Sequence, residues 1–132
     1  MRRLHPVLGA IAALVVGACA NTPTCGPGLR PASRIDLYFG LDIPGGGSVT
    51  AQEWRRFSDT VLSGAFPDGF TVAEAIGTWR SPKTNQIGHE GARVVTAVYG
   101  NLAAAQKAAS AYRAQFQQEA VGITQMNVCA AF

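Results

Sequence analysis

Charge and aromatic rings are scarce in this chain of 132 residues: 14% are Asp, Glu, Lys or Arg and 8% are Phe, Trp or Tyr. With 48% of the residues apolar, the composition excludes a disordered, solvation-driven chain. Histidine is limited to two residues, His5 and His89, and cysteine to three. No apolar run approaches the roughly 20 residues that a membrane-spanning helix needs; Val7 to Val16 is an unbroken stretch of 10. There is no HExxH pair and no Gly-x-Ser-x-Gly elbow. Gly45-Gly46-Gly47 precedes a helix start, but Gly46 and Gly47 stand where a phosphate-binding loop needs Lys and a hydroxyl residue, so the triplet reads as a flexible connection.

What is present at the start is an address. Arg2 and Arg3 precede the apolar run of Val7 to Val16, the pattern of an export signal over residues 1–18. Val16-Gly17-Ala18-Cys19 resembles the lipobox of bacterial lipoproteins, which implies lipidation of Cys19; cleavage after Ala18-Cys19-Ala20 by an ordinary signal peptidase is the alternative. Ala20 after the lipidated position, by the same resemblance, implies the periplasmic face of the outer membrane. The formal charge of +3 therefore overstates the mature protein, because without Arg2 and Arg3 nine basic residues face eight acids. No basic stripe survives for nucleic acid. The expected partner is the membrane, through the lipid.

Either cleavage leaves Cys25 and Cys129 in an oxidising compartment, where an even pair reads as a disulfide. Zinc is disfavoured, since His89 is the only other soft ligand in the mature chain. Neither a metal nor another cofactor is expected.

Residues 19–33, with prolines at 23, 27 and 31, read as a tether, and 34–132 as one domain. Ile35, Leu37, Phe39 and Leu41 alternate with Arg34, Asp36, Tyr38 and Gly40 as in a half-buried strand. Thr50-Ala-Gln-Glu53 forms a capping box for a helix carrying Trp54, Phe57, Val61, Leu62 and Ala65 on one stripe. Phe70–Trp79 and Arg93–Tyr99 suggest a hairpin with a long polar tip over Ser81–Gly91. Asn101 caps a second helix with Leu102, Ala105, Ala109, Tyr112 and Phe116 facing inward. In the last strand, Val121 and Ile123 have the opposite parity to Met126 and Val128, which predicts a bulge near Thr124 or Gln125. The order predicts an α+β, ferredoxin-like split β-α-β-β-α-β sandwich: a four-stranded antiparallel sheet with both helices on one face.

That topology sends the glycine triplet, the hairpin tip and the loop after the second helix to one end, the natural place for a site. His89, Glu90 and Arg80 are the catalytic candidates, with His89 as base, although neighbours on an extended segment point to opposite sides. Tyr38, Arg34, Trp79 and Tyr99 are the candidates for a ligand-binding surface on the helix-free face, which a homodimer could also cover. Tyr38-Phe39-Gly40-Leu41 and Phe66-Pro67-Asp68-Gly69, in this order, resemble an uncharacterised bacterial family of short exported proteins, a domain of unknown function, over residues 34–132. The resemblance implies export and a single domain but brings no activity. The resulting expectation is a non-enzymatic binding or envelope-associated module; the alternative is a small enzyme using acid-base chemistry near Arg80, His89 and Tyr38.

Overall fold

The computed structural model describes residues 23–132. The export signal and Cys19 lie outside the described residues.

Strand β1 (Arg30–Gly40) buries Ile35, Leu37 and Phe39 against the helices. It begins four residues before the sequence alternation does. Arg30 to Ser33 pair with Ala130 to Asn127, and backbone pairing rather than apolar patterning extends the strand, so part of the expected tether belongs to the sheet. Helix α1 starts at Ala51 and ends at Ala65 (Ala51–Phe57, a π-helical turn Ser58–Leu62, then Ser63–Ala65). Both halves of the capping box form: Thr50 Oγ1 accepts from Glu53 N–H at 3.2 Å and Thr50 N–H donates to Glu53 Oε2 at 2.8 Å. The hydrogen bonds that Thr50 N–H and Thr50 Oγ1–H donate to its Oε2 hold the Glu53 carboxyl below its ordinary pKa. The wider π turn helps bring Phe57 and Leu62, five residues apart, into one core.

Strands β2 (Thr71–Arg80) and β3 (Ile87–Val98) form a hairpin whose ladder runs unbroken from Thr71↔Thr96 to Arg80↔Ile87. The polar tip is therefore shorter than predicted, and His89 and Glu90 lie on β3 rather than in a loop. Here the two strands pair with each other without a buried face, so no apolar alternation announces them: Ile76 and Ile87 are both exposed. Helix α2 (Leu102–Phe116) is capped by Asn101 Oδ1, which accepts from Ala104 N–H at 3.1 Å, and ends at Gln117 in the left-handed region. Ala108 joins its buried stripe, whereas Leu102 does not. Strand β4 (Gly122–Ala130) pairs with β1 continuously from Tyr38↔Gly122 to Arg30↔Ala130, and the predicted bulge is absent. Ile123 packs on the core, while Met126 and Val128 take the other face, with Met126 exposed.

The sheet order is β2-β3-β1-β4, antiparallel throughout, which is the ferredoxin-like arrangement. Phe39 centres the core, with the rings of Trp54, Phe57 and Tyr112 edge-on to it at 5.4, 5.8 and 4.7 Å. At the end where β1 begins, Cys25 and Cys129 form the expected disulfide, with Cα atoms 5.6 Å apart. No helix among the described residues is long and apolar enough to cross a membrane.

Candidate functional site

At the other end of β1 lies a cavity of about 400 Å³. Three connections enclose it. The first, residues 41–50, is folded by Ile43 N–H donating to Gly47 O and Gly46 N–H donating to Ile43 O, both at 3.0 Å. Gly45, Gly46 and Gly47 all have positive φ (96°, 119° and 89°), a path that side chains would strain. The triplet is thus a shaped turn rather than a flexible connection. The second is the hairpin tip, where Arg80 Nη1 donates to Asn85 O at 2.9 Å. The third is the segment after α2. It ties the other two together, since Gln118 Nε2 donates to Asp42 O at 2.7 Å and Ser81 Oγ donates to Glu119 Oε2 at 2.8 Å.

The wall contains Tyr38, Trp79, Arg80, His89 and Glu90. Glu90 is the best-organised polar group among them. Its Oε2 accepts from Asp42 N–H at 2.9 Å, and its carboxylate lies over Gly40 so closely that a Cβ there would stand 2.6 Å from both oxygens. Glycine at the end of a core strand is thus what admits the carboxylate. Burial pushes the Glu90 carboxyl above its ordinary range; the Asp42 N–H opposes this and the Asp42 charge adds to it. Beneath this corner Tyr112 O–H donates to Gly40 O at 2.8 Å and locks the strand end. Burial foremost, and the Glu90 charge next, push the Tyr112 phenol upward, so it remains a neutral donor.

A second glycine has the same use. The Trp79 indole lies across Gly77, where a Cβ would run into the ring. The Trp79 N–H is buried and finds no acceptor among the described residues.

The sequence candidates divide. His89 and Glu90 occupy consecutive positions on β3, and the His89 ring is engaged with Thr78, Nδ1 to Oγ1 at 3.0 Å, so Glu90 does not orient His89. Arg34 lies outside the cavity: its Nε donates to Asp36 Oδ1 at 3.1 Å, and Thr96 Oγ1 donates to the same oxygen at 2.5 Å. Tyr99 lies toward the opposite end, its ring 6.2 Å from that of Phe132. Of the four proposed ligand-binding residues only Tyr38 and Trp79 line the cavity; Arg34 lies four residues along β1 on the same face as Tyr38, and Tyr99 lies beyond the far end of β3. Gly40, Gly77, Ser81, Gln118 and Glu119 were missed. Glycines inside strands were the available signal for the first two. Among the described residues no three His, Cys, Asp or Glu side chains cluster as a metal site would require.

A family model described as protein of unknown function, DUF3574, matches residues 34–132. The chain belongs to the DUF3574 family. The match covers the span over which the resemblance was drawn. No curated protein matches this DUF3574 chain in sequence. Two solved structures share its fold. A phage SAM lyase in complex with S-methyl-5'-thioadenosine is 15% identical, with 83% of this chain and 95% of that one covered at a TM-score of 0.58. A phage SAM lyase in the apo state is 13% identical, with 77% and 90% covered at 0.51. These neighbours correct the expectation of a non-enzymatic module. The solved structures that share this architecture are of an enzyme, and Tyr38, Arg80 and His89, named for the alternative, all border the cavity.

Proposed function

We propose that this DUF3574 protein is a small-molecule lyase acting on a sulfonium compound, with S-adenosylmethionine as the test case. The observation that carries the reading is the placement of Glu90, a half-buried carboxylate fixed across Gly40 in a wall shared with Tyr38 and Trp79. A carboxylate beside aromatic faces is suited to an organic cation, which gains from both the opposite charge and the ring quadrupoles. A volume of about 400 Å³ suits a small ligand. The fold shared with the phage SAM lyase, whose structure holds S-methyl-5'-thioadenosine, supports this choice of cation.

In the proposed step the carbon–sulfur bond breaks with its electron pair passing to sulfur, and the sulfonium becomes a neutral thioether. Glu90 takes the proton from the neighbouring carbon, and an alkene forms there. A carboxylate whose pKa is raised by burial is the stronger base for this transfer. Cation and carboxylate are both neutralised, a change that a low-dielectric wall favours. The protein acts in the cell envelope, on the periplasmic face of the outer membrane, anchored through lipid on Cys19.

The test is incubation of the purified protein with S-adenosylmethionine and mass-spectrometric detection of S-methyl-5'-thioadenosine. Product above a no-enzyme control, lost in Glu90→Gln, is expected. Absence of product together with absence of calorimetric binding of either compound overturns the reading.

A further inference from the structure

The outer edge of β2 is open. In the sheet order β2 has β3 on one side and no described strand on the other, so every second residue of its ten offers a backbone donor and acceptor to solvent. Thr71–Arg80 contains neither Pro nor Lys, its pairing to β3 has no bulge, and its two charged residues, Glu74 and Arg80, are of opposite sign. On the helix-side face of this hairpin Ile76 is 85% exposed, with Val72 and Ile87 at 37% and 55%. Neither helix covers this apolar stripe.

We infer that this edge pairs with the same edge of a second copy, antiparallel about a two-fold axis through Gly77. With both sheets facing the same way, a register centred on Gly77 sets Glu74 opposite Arg80 twice. It also sets Ile76 opposite Thr78 and Trp79 opposite Ala75, so that each indole meets a methyl group. A register centred on Ile76 sets Glu74 against Thr78, and one centred on Ala75 sets it against Ile76; both leave the charges unmatched. Opposite charges directly across an antiparallel pair favour the first register. Glu74 is already held 3.0 Å from Arg93, yet its side chain is 83% exposed, which leaves it free to face a second cation. Gly77 gives the axis a position without side chains, flanked by the two Trp79 rings that lie across their own glycines. Stacking the helix-free faces is the poorer arrangement, because it would strip water from Arg34 beside the buried Asp36. Since Trp79 and Arg80 also line the cavity, the two pockets flank the join. Nothing in this pairing depends on the chemistry proposed for the pocket.

Sedimentation equilibrium of the full-length protein in density-matched detergent tests it. Wild type is expected at twice the protomer mass, Glu74→Arg and Arg80→Glu at the protomer mass, and the double reversal at twice the mass again. Melting curves establish that each variant is folded. Should Glu74→Arg fail to fold beside Arg93, Arg80→Glu and Ile76→Lys carry the test. A monomeric wild type overturns the inference, as does a dimer that persists in folded Arg80→Glu and Ile76→Lys proteins, including one that Met126→Arg on the helix-free face dissociates.

Discussion

Gly40→Ala is the substitution that separates the site from the scaffold. Gly40 is buried at the end of β1, with a backbone conformation open to alanine. The new methyl carbon would stand 2.6 Å from both Glu90 oxygens, where ordinary contact begins at 3.4 Å. The carboxylate must therefore retreat by roughly 0.8 Å, and displacement on that scale costs about 10²-fold in rate where a reacting group is positioned. The retreat also loosens the hydrogen bond from Asp42 N–H, worth roughly 1.5 to 3 kcal/mol for a charged acceptor and less at this half-exposed site. Removing a glycine from the unfolded chain returns about 0.4 to 1 kcal/mol. The net loss of stability is about 1 kcal/mol, or roughly 4 to 8 °C in melting temperature for a domain of this size. The assays are thioether release and thermal melting, run on wild type, Gly40→Ala, Glu90→Gln and the double variant. Gly40 acts through Glu90, so the double variant should be no slower than Glu90→Gln alone. Full activity in Gly40→Ala, or additive losses in the double variant, would refute the reasoning.

Three other outcomes follow from the same physical arguments. Because burial raises the Glu90 pKa in the folded protein, ionising it opposes folding, and wild type loses stability as pH rises from the ordinary glutamate range through the raised value. Glu90→Gln has no such loss, so denaturant titrations at stepped pH should show its advantage growing from acid to neutral; a constant difference contradicts the assignment. Reducing Cys25–Cys129 opens a loop spanning a sequence separation of 104 and should cost about 4 to 5 kcal/mol in the chain-entropy model, so an unchanged melt with two titratable thiols would be inconsistent with the bridge. Cys19→Ala should release the protein from the membrane fraction or leave its precursor uncleaved, and normal maturation with unchanged partition would remove the lipid anchor.

Much of the architecture was legible because local chemistry and global fold agree. The alternation of Ile35, Leu37 and Phe39 marks a strand with one buried face, Thr50 and Glu53 announce a helix start, and the stripe from Ala105 to Phe116 matches the helical period. Their order allows few right-handed topologies and places three loops at one end. The cysteine pair was legible for the same reason: topology brings the foot of the first strand to the end of the last.

The candidate site was only partly legible. Tyr38, Trp79, Arg80, His89 and Glu90 could be named from residue type, but an acid beside a histidine in sequence suggested a pair that strand geometry separates. Alternation says which residues are buried; it does not say which carboxylate finds a backbone donor 48 positions away, as Glu90 does at Asp42. The hairpin's outer half carried no periodic signal, since nothing covers it. Local patterning by itself determined the elements and their order, because each helix or strand must bury its own apolar face. Only the tertiary structure decided that Gly40 and Gly77 are shelves for Glu90 and Trp79, because the room a missing side chain leaves is defined by what another strand places against it.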